Sequence, residues 1–201
     1  AAWNAANDFE APTVAVIKHT NPCGLASHGD LAEAYRRAYS GDTVAAFGGI
    51  VALNRPVDAA TAQEMSKIFY EVIIAPGYDG KALELLKQRK DVRILEMGSQ
   101  KAGASARFDF RKVGGGFLMQ TPDNLPEATS GWRTVTEREP TKKELEDLLF
   151  AWKAVKHVKS NAIMLVKDST VVGMGAGQPS RVVSVEIALK KAGERAKGSV
   201  L

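Results

Sequence analysis

At 201 residues, 45% hydrophobic and 25% charged, the chain has the composition of a globular protein with a real core, and room for one large domain or two small lobes. No apolar run approaches the ~18 residues needed to cross a bilayer, and the single cysteine, Cys23, excludes an intrachain disulfide and suits a reducing, cytoplasmic compartment. The net charge of +4 is dispersed: the clusters at 87–90 and at Lys153, Lys156 and Lys159 read as solvated helix faces rather than a nucleic-acid arm, and a mild positive excess suits anionic small molecules.

The chain opens on AAWNAANDF, which reads as a helix, has no starting Met and lacks the basic and apolar regions of a signal peptide, so it reads as a segment of a longer protein. A buried strand, VAVIK, is predicted at 14–18. A helix follows at 31–40, with Asp30 as its N-cap and Glu33 at capping-box spacing. The pattern then alternates: strand 50–53, helix 59–70, strand 72–75, helix 81–90, strand 92–96. Short strands alternating with helices predict an α/β fold of three layers, helices on both faces of a sheet.

Residues 100–107 are small and polar, and 108–120 place Gly114, Gly115 and Gly116 between strand-like residues. The stretch 121–140, with three prolines, reads as a linker between a first lobe (1–120) and the start of a second (141–201). In the second, Thr141 and Glu144 box the start of a long helix. A hairpin pairs 162–166 with 171–174 through a turn at Asp168-Ser169, and the Gly-rich turn GAGQPSR at 175–181 precedes a helix over 182–192.

Four constellations carry candidate chemistry. KHTNPCG at 18–24 follows a buried strand, and Lys18 and His19 stand at its carboxyl end, where ligands sit in open α/β sheets. His is suited to proton transfer near neutral pH, and a neighbouring ammonium stabilises developing negative charge. Neighbours on a strand point to opposite sides, but a turn at Asn21-Pro22 re-aims them. On spacing alone a structural loop is the more ordinary explanation of the motif. Cys23 is explained by a tight turn as readily as by nucleophilic chemistry.

Gly48-Gly49 before the strand at 50–53 lets a ligand approach the backbone, or marks a bulge. Glu71 reads as a surface acid at a strand start. Asn161, in KSNAI, is brought by the hairpin toward Gln178 and Arg181, an arrangement able to recognise an anion or an amide. His19, His28 and His157 are scattered, and neither CxxC nor HxE spacing occurs, so no zinc site is expected.

KHTNPCG, AFGGIVALN with EVIIAP, KSNAI and GAGQPSR, in this order, resemble the transformylase domain of the bifunctional purine-biosynthesis family, which joins that activity to an inosine monophosphate cyclohydrolase. The resemblance covers nearly the whole chain. It implies transfer of a formyl group from 10-formyltetrahydrofolate to the 5-amino group of aminoimidazole carboxamide ribonucleotide, with His19 as proton acceptor and Lys18 stabilising charge. Gly48, Glu71, Asn161 and Arg181 match positions that hold the nucleotide; Val182 and Gln178 match the folate side. It further implies paired cytidine-deaminase-like lobes without the deaminase zinc, a homodimer with active sites across the interface, and in some members a potassium ion. Neither nucleic acid nor a membrane is an expected partner. The family's domain extends beyond both ends of this sequence, so a nucleotide-binding module without catalysis stays open as an alternative.

Overall fold

The computed structural model describes residues 1–98, 108–123 and 129–201. In chain order the elements are α1 (Ala2–Asn7), β1 (Thr13–Lys18), β2 (Asn21–Ser27), α2 (Leu31–Ser40), α3 (Thr43–Ala46), β3 (Gly49–Leu53), α4 (Ala59–Met65), β4 (Tyr70–Ala75), α5 (Gly80–Lys87) and β5 (Arg93–Glu96). A separate hairpin follows, β6 (Asp109–Val113) and β7 (Gly116–Gln120), and then α6 (Lys142–Val155), β8 (Ile163–Lys167), β9 (Thr170–Gly175) and α7 (Arg181–Ala192).

Most helix starts are written in short polar side chains. Asp30, Asp58 and Asp79 accept the backbone N–H three residues on, at 2.7, 2.7 and 2.6 Å, and Thr141 and Glu144 form a complete capping box. Each satisfies an N–H that the helix itself leaves orphaned.

Seven strands form one mixed sheet in the order β5-β4-β3-β1-β2-β9-β8. Strands β3, β4 and β5 run parallel, and the other neighbours pair antiparallel. Alternation along β1 sends Val14 and Val16 to one face, against α2 and its neighbours, and Ala15 and Ile17 to the other, against α1 and α6. A third cluster closes α7 onto β8 and β9 through Ile163, Leu165, Val172 and Ala188. The α/β class and the helix layers on both faces are therefore as expected.

The structure differs from expectation at three places. Residues 21–27 form a strand, β2, where Pro22 and Gly24 read as turn formers. Pro22 lies beside a register shift at Val16/Ile17, where the ladder is already interrupted. Gly24 is required by the helix packed above it: a Cβ there would stand 1.8 Å from the Ala38 carbonyl oxygen. The helix at 59–70 ends at Met65, because Tyr70 already belongs to β4 and its buried hydroxyl meets that of Tyr35 at 2.8 Å. Finally, the division expected at 121–140 is not a division of the sheet, since β8 and β9 continue the sheet begun by β1–β5. The expectation for 100–107, and residues 124–128 of the expected linker, lie outside the described residues.

Candidate active site

The topology brings the candidate residues to one edge of the sheet. Because β1 runs antiparallel to both β2 and β3, the end of β1 lies beside the starts of β2 and β3, and by parallel pairing beside the starts of β4 and β5. Strand β9 ends and β8 begins at this same edge. The carboxyl-end rule thus holds only for β1 and β9; the rest of the edge is made of strand starts.

Lys18 is the last residue of β1 and half-buried. Its ammonium donates to the carbonyls of Phe47 at 2.8 Å and Gly48 at 3.0 Å. Two of its three N–H donors are thereby engaged, and the third can meet a ligand oxygen. Gly48 makes this possible: its φ is +64°, and a Cβ would sit 3.2 Å from the Lys18 ammonium.

His19 and Thr20 form the two-residue turn between β1 and β2, with φ of +48° and +66°. The chain therefore reverses at His19-Thr20, not at Asn21-Pro22. A left-handed pair without glycine is strained by about 1–3 kcal/mol per residue, and such strain clusters at functional sites. The turn lifts the imidazole off the sheet, where it is exposed and meets no hydrogen-bond partner among the described residues. Both ring nitrogens are open to a ligand.

Cys23 is buried instead, its thiol donating to the Val16 carbonyl at 3.3 Å. Burial, and secondarily the Asp42 carboxylate, push the thiol up to about 11, so it is a packed neutral group and not a nucleophile.

The second cluster forms where β8 begins and β9 ends. Asn161 donates its backbone N–H to the Gln178 carbonyl at 3.1 Å, and its side-chain amide to the carbonyls of Gln178 and Pro179, both at 2.9 Å. Arg181 donates to the Asn161 side-chain oxygen at 3.2 Å. Beneath them the fully buried Ser184 donates its hydroxyl to the Asn161 carbonyl at 2.8 Å. The Gln178 side chain turns back to the Ala176 carbonyl at 3.3 Å, and Val182, in the first turn of α7, is 66% exposed.

The two clusters touch through Asn21, whose side-chain oxygen accepts the Lys159 backbone N–H at 3.1 Å. Glu71 stands apart from both. It is the extra residue of a β4 bulge opposite Gly49 and Ile50, and pairs with Arg93 at 2.9 Å, a partner the sequence did not suggest. Sequence reasoning also missed Ser184. Its one signal is a small polar residue on the buried face of a helix, which carries no chemistry by itself.

An apolar pocket of about 420 Å³ lies away from Lys18 and His19, between α6 and the start of β8, lined by Trp132, Trp152, Leu148, Met164 and Leu201 among others. The convergent polar groups lie instead at the edge that carries Lys18, His19, Asn161 and Arg181. Among the described residues no group of three or more His, Cys, Asp or Glu stands where it could hold a metal ion, and no helix is long and apolar enough to cross a membrane.

A family model described as AICARFT/IMPCHase bienzyme matches residues 1–191. The chain is 50% identical over 192 residues to the bifunctional purine biosynthesis protein PurH of Nostoc punctiforme, covering 96% of this chain and 37% of that protein. It is 49% identical over all 201 residues to PurH of a Thermoanaerobacter species, covering 39% of it, and 48% identical to PurH of Limosilactobacillus reuteri over 93% of this chain and 36% of the relative. The chain thus spans a little over a third of the length of these relatives. With its Lys-His turn and Asn-Arg cluster on one sheet edge, the chain belongs to the AICARFT/IMPCHase bienzyme family.

Proposed function

We propose that this chain carries the formyl-transfer centre of a purine-biosynthesis enzyme, moving a formyl group from 10-formyltetrahydrofolate to the 5-amino group of aminoimidazole carboxamide ribonucleotide. The observation that supports this best is the shared edge: a cation and an imidazole at one end of it, an amide and a guanidinium at the other, joined by one hydrogen bond.

The amine is a poor nucleophile, its lone pair delocalised into the ring and carboxamide. It must lose a proton as it attacks the formyl carbon. His19, with both ring nitrogens open, takes that proton. The carbonyl oxygen gains charge as the carbon becomes tetrahedral, and the remaining donor of Lys18 faces it. Collapse returns the electron pair to the carbonyl and breaks the bond from carbon to the folate nitrogen, which takes the proton held by His19, leaving the formamide and tetrahydrofolate. Asn161 and Arg181 fix the carboxamide, and Gly48 leaves space for the nucleotide; Glu71 matches a nucleotide-holding position by resemblance, although within one chain it lies apart from both clusters and pairs with Arg93. Val182 offers the folate an exposed apolar contact, with Gln178 beside it.

The mild positive charge suits the phosphate and the folate carboxylates. A homodimer that completes the site from two chains belongs to the same reading, as does a cytoplasmic location. No step requires the potassium ion.

The test is a formyl-transfer assay beside calorimetry with the ribonucleotide. His19→Ala is expected to lower turnover by 10²–10⁴-fold and Lys18→Ala by about 10²–10³-fold, with folding intact by circular dichroism. Undiminished turnover in a folded His19→Ala chain would refute its role as base. Ribonucleotide binding without turnover in the unaltered chain would reduce its function to nucleotide recognition.

A further inference from the structure

The site is built from parts far apart in sequence, the turn at 18–20 and the segment 159–161, and its function depends on their separation. Among the described residues, the hydrogen bond between them is made by one side chain. Asn21 opens β2, directly opposite Lys18 in register, and its side-chain oxygen accepts the Lys159 N–H at 3.1 Å. Its amide nitrogen lies 3.4 Å from the His19 carbonyl oxygen. On the far side, the Lys159 carbonyl accepts the Gly177 N–H at 2.9 Å, which continues the connection into the GAGQPSR turn. One short planar amide therefore stands at the junction of three backbone segments: the Lys-His turn, the loop before β8 and the turn after β9.

We propose that Asn21 is a positioning residue, setting the distance between the Lys18–His19 pair and the Asn161–Arg181 cluster. The geometry stands by itself; the catalytic consequence rests on the formyl-transfer function proposed above. Without the Asn21 oxygen, the segment 159–161 remains bound to α7 and the β9 turn through Ser184 and Gln178. It is released only from the turn that carries the base. The nucleotide is then still held by Asn161 and Arg181, but its amine no longer meets His19 in a fixed geometry. Such a loss appears in kcat rather than KM, because it concerns the alignment of bound groups and not their binding. Asn suits the task because it is too short to flex and offers a neutral acceptor and donor together. Asp retains the acceptor, and Ala removes both.

Asn21→Ala, Asn21→Asp and, for comparison, Ser184→Ala, which loosens Asn161 without touching the turn, decide the matter in two measurements on the 201-residue chain. The first needs no ligand: hydrogen exchange of the Lys159 amide followed by NMR. It is expected to quicken about fivefold or more in Asn21→Ala and to stay within twofold of the unaltered chain in Asn21→Asp. Unchanged exchange in Asn21→Ala overturns the tie, whatever the chain does with nucleotides. The second is steady-state transfer. In Asn21→Ala kcat is expected to fall about tenfold or more with KM within twofold, with most of the loss recovered in Asn21→Asp, whereas Ser184→Ala raises KM. A raised KM at unchanged kcat in Asn21→Ala overturns the positioning role. If Asn21→Ala does not fold, Asn21→Ser takes its place in both measurements. If the unaltered chain forms no product, the formyl-transfer function falls alone, and amide exchange still decides whether Asn21 couples the two segments.

Discussion

At the scale of single residues, the site is a set of backbone positions more than a set of reactive side chains. Lys18 is held by two carbonyls, and His19 is presented by a turn that a glycine would occupy with less strain. Gly48→Ala tests the first. It places a methyl group 3.2 Å from the ammonium in a left-handed backbone, so it is expected to cost about 1–3 kcal/mol in a urea melt and to displace Lys18, lowering transfer activity beyond the stability loss. Cys23 gives the converse case. With its thiol pushed up to about 11, the folded chain at pH 8 is expected to react with iodoacetamide at least tenfold more slowly than the urea-unfolded chain, as followed by intact mass. Equal rates would mean that the thiol is open and the packed role is wrong.

At the scale of elements, what was legible was what is encoded locally. Asp30 and Thr141 announce α2 and α6 because a cap acts within three residues, and VAVIK announces β1 because a strand buried on both faces reads as a continuous apolar run. Strand β2 was hidden because its glycine answers to the helix packed above it, α2, rather than to its own sequence neighbours. The same holds at Gly175, where a Cβ would meet the Ser184 carbonyl at 2.0 Å. Gly24→Ala is therefore expected to cost at least about 3 kcal/mol or to prevent folding, as measured by thermal melting, since backbone and not a flexible side chain stands in the way. The site residues divide along the same line. The candidates Lys18, His19, Asn161 and Arg181 stand out in the sequence as motif residues, but the turn geometry, the Glu71–Arg93 pair and the support from Ser184 depend on contacts between distant segments and left no local mark.

At the scale of the whole molecule, charge ties segments far apart in the chain together. Asp8 follows α1, and both Lys156 (2.6 Å) and His157 (2.8 Å), at the end of α6, reach its carboxylate. Burial alone would raise the Asp8 carboxyl, but hydrogen bonds from His157 and Lys156 outweigh it and hold it below the usual carboxylate range. Asp42 is held down in the same way: burial raises it, while Lys191 of α7 and the Ala45 N–H lower it further than burial lifts it. A depressed folded value stabilises the fold above the unfolded value, about 3.9, and that contribution disappears as pH falls through the folded one. Asp8→Asn is thus expected to cost on the order of 1 kcal/mol at pH 7, with the cost shrinking progressively as pH falls below the unfolded value, by urea melts at neutral and acid pH. A difference that persists in acid would show that the side chain acts through shape and not charge.

Between β2 and β9 the ladder is short: Ala26 pairs with Thr170, and the Ser27 N–H reaches the Ser169 carbonyl at 2.9 Å. The seam is closed mainly by apolar contact, with Leu25, Phe150, Met164 and Val171 in one cluster that crosses it. Lys18 and His19 stand on one side of that seam and Asn161 and Arg181 on the other. Neither half of the polypeptide carries both clusters, so a chain opened between β7 and α6 is expected to behave as a complementation pair, and under the function proposed above its reunion would restore ribonucleotide binding.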